Sequence, residues 1–310
     1  MKSVVPLLAY MMLASCTETN VGKPNSIGEP YDITLVASDS NMLNTAKGML
    51  ATTVDCMPQQ ETLFNVKTLK GRNIDAATQY DRTIILVRRG GDHTNIRYEE
   101  NPYARNQMLV TITTPSQAMF RADSAKTARS LQKLLERVEK KRAINALSKN
   151  CNKRMMQEVA KTVGCKITIP DDMKASKKGK DFIWISDNGV KTMRNICVYA
   201  AKGIHSQPDD ILRVRDSVMA ENIKGEREGM VMATERKADV KFNRLGNGTV
   251  ARGLWQMKGD AMGGPFVSIT LCDTIRNRTV TAEAFIYAPS TTKARAMKRL
   301  EATLYTLKTE

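Results

Sequence analysis

The sequence predicts an α+β protein built as two α/β-type domains, the C-terminal one an antiparallel sheet packed by helices. Three observations predict it. Short runs in the C-terminal half alternate apolar with polar residues and follow one another in hairpin order. The N-terminal half sets a continuous apolar run ahead of a long helical stripe. In front of both stands a short apolar segment that ends at a cysteine, and such a segment is to be set apart from the fold.

That leading segment has the layout of a lipoprotein signal peptide. Lys2 is the single charge before Cys16, and Val4 to Leu13 is apolar and interrupted by Pro6. The run is much shorter than the roughly 20 residues that cross a bilayer. Leu13-Ala14-Ser15-Cys16 reads as a lipobox, in which small residues suit a signal peptidase and the thiol accepts the lipid. Residues 1–15 are therefore expected to be removed, leaving 295 of the 310 residues with a lipid on Cys16. Residues 16–30 are rich in Gly, Pro, Asn and Ser and read as a flexible lipidated tether. No acidic run follows the cysteine, so the expected address is the cell envelope, at the periplasmic face of the outer membrane.

The first domain is expected over residues 31–150. Tyr31 to Val36 reads as a strand, and Asp39 to Val54 as a helix capped by Asp39 or Ser40. Thr62 to Leu69 alternates, and Thr83 to Val87 is continuously apolar, the pattern of a buried strand. Arg88 to Asn106 is polar and reads as a loop, and Gln107 to Thr114 as a strand. After Pro115, with Ser116 as cap, Ala128, Leu131, Leu134, Leu135 and Val138 recur every three or four residues on one helical stripe. Lys133, Arg137, Lys140 and Lys141 fall mostly off that stripe.

The second domain is expected over residues 151–310. A short helix to Val163 and a strand over Lys166 to Pro170 precede a basic loop from Lys174 to Lys180. Phe182 to Ile185, Ile196 to Ala200, Met230 to Thr234 and Val250 to Met257 read as strands, and Asp209 to Asn222 as an amphipathic helix. Val267, Ile269 and Leu271 alternate with polar residues, as do Val280, Ala282, Ala284 and Ile286, with a hairpin loop between the two runs. Ala294, Met297, Leu300, Leu304 and Leu307 form the stripe of a closing helix.

The formal charge is +16, or +15 without Lys2. In the cytosol that balance would suggest nucleic acid. Export removes that option as the default, and the expected anionic partners are lipid headgroups, lipopolysaccharide and acidic glycans. Besides Cys16 there are Cys56, Cys151, Cys165, Cys197 and Cys272; an odd number leaves at least one thiol unpaired. No C-x-x-C, H-E-x-x-H or G-x-S-x-G is present, and no cofactor or metal is expected. Gly246 to Ala251 fits the loose G-x-G-x-x-A pattern, but Asn247-Gly248 reads better as a hairpin turn.

The richest stretch is Thr249 to Ser268, where Gly253, Gly259, Gly263, Gly264 and Pro265 crowd around Trp255 and Asp260. Read as a ligand site, Gly263 and Gly264 admit a ligand to the backbone, Trp255 stacks on it, and Arg252 and Asp260 make polar contacts. Read as structure, the glycines are turns and Trp255 is core. R-G-L-W and G-D-A-M-G-G-P-F, together with I-T-I-P (Ile167 to Pro170), D-F-I-W-I (Asp181 to Ile185), R-D-S-V (Arg215 to Val218) and F-I-Y-A-P (Phe285 to Pro289), resemble the DUF4837 family of Bacteroidota lipoproteins. The resemblance runs in order from about Gly28 to Leu307. It implies an exported lipoprotein and carries over no catalytic residue. The expected function is a non-enzymatic binding or scaffold module, attached to the membrane through Cys16 and meeting an envelope protein, lipid or glycan. The alternative is a periplasmic hydrolase of envelope glycan or lipid, with Arg252, Asp260 and His93 in one cleft.

Overall fold

The computed structural model describes residues 22–309; Cys16 and the expected signal peptide lie outside the described residues. The first domain opens with β1 (Asp32–Ala37), α1 (Ser40–Leu50), β2 (Asn65–Lys70), β3 (Thr83–Arg89), β4 (Asn95–Glu100) and β5 (Met108–Thr114). It closes with α2 (Gln117–Ala122) and α3 (Ser124–Lys149). Asp39 caps α1 by accepting from the Asn41 N–H at 2.8 Å, and Ser116 caps α2 by accepting from Met119 N–H at 3.2 Å. The sheet order is β2-β1-β3-β5-β4, parallel except for β4. β1, β3 and β5 bury one face under α1 and α3, where Leu35, Ile85 and Val110 meet Met42, Leu131 and Leu135.

The second domain contains α4 (Lys153–Val163), β6 (Cys165–Lys166), β7 (Ala175–Gly179), β8 (Phe182–Ser186), β9 (Met193–Lys202) and α5 (Pro208–Asn222). Then follow β10 (Met232–Thr234), β11 (Lys241–Leu245), β12 (Gly248–Met257), β13 (Gly263–Asp273), β14 (Arg278–Tyr287), α6 (Ala294–Leu304) and β15 (Lys308–Thr309). Its eight-stranded antiparallel sheet runs β10-β12-β13-β14-β9-β8-β7, with β11 also on β12, and β15 pairs β6. Because side chains alternate along a strand, the sheet has two apolar faces. One carries Ile183, Val198, Ile269 and Ala282 against α4 and α6. The other carries Tyr199, Trp255 and Phe266 against Leu212 and Met219 of α5. Under α5, Arg215 forms a bidentate pair with Glu283 at 2.7 and 2.8 Å, both fully buried, with the guanidinium 3.9 Å over the Phe266 ring.

Several expectations are corrected. Arg88 to Asn106 is not all loop: it contains β4, whose exposed Arg97, Glu99 and Glu100 disguised an edge strand. The basic stretch Lys174 to Lys180 is no loop either; it forms β7, the last strand of the sheet, and Lys178 is paired to Glu158. The strand over Lys166 to Pro170 shrinks to β6, and β11 is an addition. Residues 23–30 do not hang free as part of a tether. They lie as a strap along the first domain, with Ile27 N–H donating to Tyr80 O at 2.8 Å and Arg82 N–H to Ile27 O at 2.7 Å. Among the described residues Cys56, Cys151, Cys197 and Cys272 are free thiols, and Cys165 and Cys197 are buried. Among the described residues no helix is long and apolar enough to cross a membrane.

Candidate functional site

The expected cluster around Trp255 does not assemble. Trp255 is 3% exposed, its indole N–H donates to Ile286 O at 3.2 Å, and its ring meets Phe285 edge-on at 5.4 Å. Arg252, three residues away on β12, points to the opposite face of the sheet. Asp260 sits in the turn after β12, where it accepts from the Ala261 N–H at 2.6 Å. His93 is exposed in the turn between β3 and β4. The glycines are explained by crowding. A Cβ on Gly264 would lie 2.1 Å from Ile286 O and 3.1 Å from the Trp255 indole nitrogen, and one on Gly263 would lie 2.8 Å from Trp255 O. They let the indole cross the neighbouring strand, so they serve packing and not ligand access.

Arg252 belongs to another place, a cleft between the domains. α3 and α6 run past each other there, and the space between them is about 540 Å³, within the range of small-ligand clefts. A second cavity of about 610 Å³ adjoins it and shares Arg252, Lys298, Glu301 and Tyr305. The floor is an ion-pair network. Arg252 pairs with Glu301, the Tyr305 hydroxyl donates to Glu301 at 3.1 Å, and Lys298 reaches Glu136 of α3 at 2.8 Å. Burial alone would lower the Arg252 pKa; Glu301 and Tyr305 outweigh it and hold it above the ordinary value. Burial and then the Glu301 carboxylate push the Tyr305 phenol up, and burial with Glu139 and Glu136 does the same to Tyr31. Both rings facing the cleft therefore stay neutral.

The wall is a row of cations on α3. Arg129, Lys133, Arg137 and Lys140 recur at three- and four-residue spacing, which places them along one face. Lys140 lies 4.1 Å over the Tyr305 ring. Among the described residues, the side chains of Arg129, Lys133 and Arg137 have no ion-pair or hydrogen-bond partner. The two cleft carboxylates, Glu136 and Glu301, are both taken by floor cations, so the row above them is uncompensated.

The cleft exists because the domains are clasped. Glu61, ahead of β2, is 7% exposed and accepts from the N–H groups of Lys293 and Ala294 at 2.6 and 2.7 Å, capping α6 from the other domain. Arg295 reaches Asp32 at 3.3 Å, and Lys241 reaches Asp55 at 2.6 Å. The Cys56 thiol, pushed up by burial, points at Arg252 O at 3.3 Å. Sequence reading placed Arg252 among the site residues but missed Glu61, Lys298, Glu301 and Tyr305. The one local signal was an acid at 301 next to the apolar stripe residue Leu300.

No curated protein matches the chain. Among solved structures it is similar to the Ran-binding protein Mog1p of Saccharomyces cerevisiae, at 10% identity and a TM-score of 0.33, over 46% of this chain and 89% of that one. It is also similar to a protein of Bacteroides thetaiotaomicron, at 15% identity and a TM-score of 0.27, over 47% of this chain and 45% of that one. Both likenesses are too distant to carry a correspondence. Residues 26–148 match the model of one domain of unknown function, DUF8532, so the expected resemblance is confined to the second domain and does not begin near Gly28. Residues 152–306, half of the chain, match the model of the domain of unknown function DUF4837, and the chain belongs to that family.

Proposed function

We propose that the chain is a lipid-anchored protein of the cell envelope, held through Cys16 at the periplasmic face of the outer membrane, and that it binds an anionic ligand without transforming it. The lipobox supports the address. The observation that carries the binding role is the unpaired cationic row of Arg129, Lys133 and Arg137 above a floor whose charges are already matched. Such a site has charge to offer an incoming phosphate, uronate or carboxylate, and its carboxylates are engaged as structural partners. Tyr31 and Tyr305 add neutral rings on which a sugar or apolar group can rest. The hydrolase alternative has less support, because Arg252, Asp260 and His93 lie in three different places.

Titration calorimetry of the mature chain with oligogalacturonate and with inorganic pyrophosphate tests the reading. Each charge-assisted contact contributes about 1.5–3 kcal/mol, so Lys133→Ala with Arg137→Ala is expected to weaken binding by at least roughly 100-fold. Binding of the parent should also fall as salt rises. If neither probe binds, or if the double variant binds as well as the parent, the cleft is not an anion site.

A further inference from the structure

The strap that opens the described chain is tied to the β4–β5 turn. Arg105 N–H donates to Pro24 O at 2.8 Å, and Ser26 N–H donates back to Arg105 O at 3.0 Å. The Lys23 ammonium donates to Asn101 O at 2.7 Å, and the Ser26 hydroxyl to Asn106 O at 3.2 Å. The path of the chain is therefore set from Lys23 onward.

Six residue steps separate Cys16 from Gly22. At no more than about 3.6 Å per residue they reach at most about 22 Å, whatever path they take. α3, at 26 residues, is about 39 Å long. A lipid on Cys16 thus keeps the strap, the β4–β5 turn and the C-terminal end of α3 near the headgroups, while the start of α3 is free to stand farther off.

The surface so placed has the chemistry of a membrane-facing one. Arg105 and Lys149 line one shallow depression with Asn25, Asn101 and Asn106, and no carboxylate lines it. Lys23 stands at the start of the strap beside it. Glu100, the acid at the end of β4, is held by Lys141 at 3.2 Å. Glu29 lies at the other end of the strap, with its N–H on Asp32 at 3.0 Å. Two large apolar side chains are exposed on these segments, Ile27 at 62% and Tyr103 at 41%. Cations near an anionic leaflet together with an exposed aromatic are what an interfacial surface needs.

We propose that this face docks on the anionic phospholipid headgroups of the membrane that holds the lipid, with Lys23, Arg105 and Lys149 on phosphates and Ile27 and Tyr103 at the interface. The proposal rests on acylation of Cys16. Its consequence for the cleft is one of position. Lys140 lies nine residues before Lys149 on α3 and Arg129 twenty residues before it, so the cationic row runs from about 14 to about 30 Å along the helix from the docked end.

The test uses the full-length acylated chain in vesicles of phosphatidylcholine with phosphatidylglycerol, with a photocrosslinking residue at position 27, 103 or 275. Ile275 is the comparison site because it is 90% exposed in the β13–β14 turn. That turn packs, through Arg278, on Val163 and Gly164 at the opposite end of α4 from α3. Lipid adducts are expected at 27 and 103 several-fold above those at 275. They should fall when Arg105→Gln and Lys149→Gln are combined, and fall likewise in vesicles of phosphatidylcholine alone. Mass spectrometry of residue 16 and sedimentation with the vesicles are read first. A chain that is not acylated and stays in the supernatant overturns the anchoring and the docking together. An acylated, sedimenting chain with equal adducts at the three positions, or adducts indifferent to the two Gln substitutions, overturns the docking alone.

Discussion

Replacing Glu61 by Ala removes the clasp by which one domain caps a helix of the other. The carboxylate accepts two backbone N–H groups, from Lys293 and Ala294, at 2.6 and 2.7 Å in a site only 7% exposed. Charge-assisted hydrogen bonds contribute about 1.5–3 kcal/mol each. One oxygen serves both donors here, so their contributions are not independent. Loss of an ordinary N-cap side chain costs about 1 kcal/mol, and the helix dipole adds up to about 1 more. Together these place the cost at about 2–3 kcal/mol. Lys293 Nζ, 3.9 Å from the same carboxylate, keeps its bond to Thr291 O at 2.8 Å and adds little. Amide hydrogen exchange in the first turn of α6 is the direct assay. Opening at Lys293 and Ala294 should become roughly 100-fold easier, with amides in the middle of β13 and β14 affected far less. Glu61→Gln, which keeps an acceptor and loses the charge, should fall between. If exchange at Lys293 and Ala294 changes by less than about three-fold in Glu61→Ala, the N-terminus of α6 is satisfied without Glu61, and the account of the clasp is wrong.

Further outcomes follow from the same geometry. Trp255→Ala should cost about 3–5 kcal/mol as a buried aromatic truncation, yet leave anion binding per folded molecule unchanged; a stable variant that no longer binds would return Trp255 to the site. Glu283→Ala strands the Arg215 guanidinium in the core and should cost about 3–5 kcal/mol in urea denaturation. Arg215→Met with Glu283→Leu should recover most of that loss; failure to do so would mean that the pair specifies packing beyond its charge. Burial pushes the Asp216 carboxyl up, but bonds from Thr234 and Arg236 outweigh it and hold the pKa below the ordinary value. The Arg278 guanidinium, followed by the Arg276 contacts, does the same to Asp273. Both groups bind protons more weakly folded than unfolded, so their stabilisation is full above the unfolded carboxylate value and is lost as pH falls below about 4 through the lower native values. Asp216→Asn should flatten that acid limb of a urea-midpoint profile, and an unchanged limb would remove Asp216 from its cause.

The sequence disclosed local order well and the site poorly, for physical reasons. The stripe Leu131, Leu134, Leu135 and Val138 is buried in the first core as its spacing required. The Val267–Leu271 and Val280–Ile286 runs pair as the expected hairpin. β4 escaped because an edge strand with one side in water has a single inward residue of note, Ile96, and otherwise reads like a polar loop. The crowded glycines around Trp255 imitated a ligand site because close backbone approach has the same composition whether the visitor is a ligand or the next strand. The cleft was illegible for a different reason. A cationic helix face such as Lys133 and Arg137 looks the same in sequence whether it faces open water or another domain. Glu61 and Lys293 are 232 positions apart and acquire meaning only when the domains dock.

The last strand of the eight-stranded sheet has a consequence for behaviour in bulk. β7 pairs with β8 on one side, and Ser176, Lys177 and Lys178 are exposed along it. Its outer backbone groups are an invitation to strand addition, the route by which sheet proteins polymerise. A second copy arriving antiparallel would bring ammonium groups against ammonium groups, which opposes pairing. On the membrane anchoring proposed above, molecules confined to two dimensions would meet at concentrations far above those in solution, where the Lys177 ammonium would oppose the growth of a continuous sheet. Exchanging Lys177 and Lys178 for Thr and Val would keep the backbone ladder to β8, give up the Lys178–Glu158 pair, and open that edge to growth.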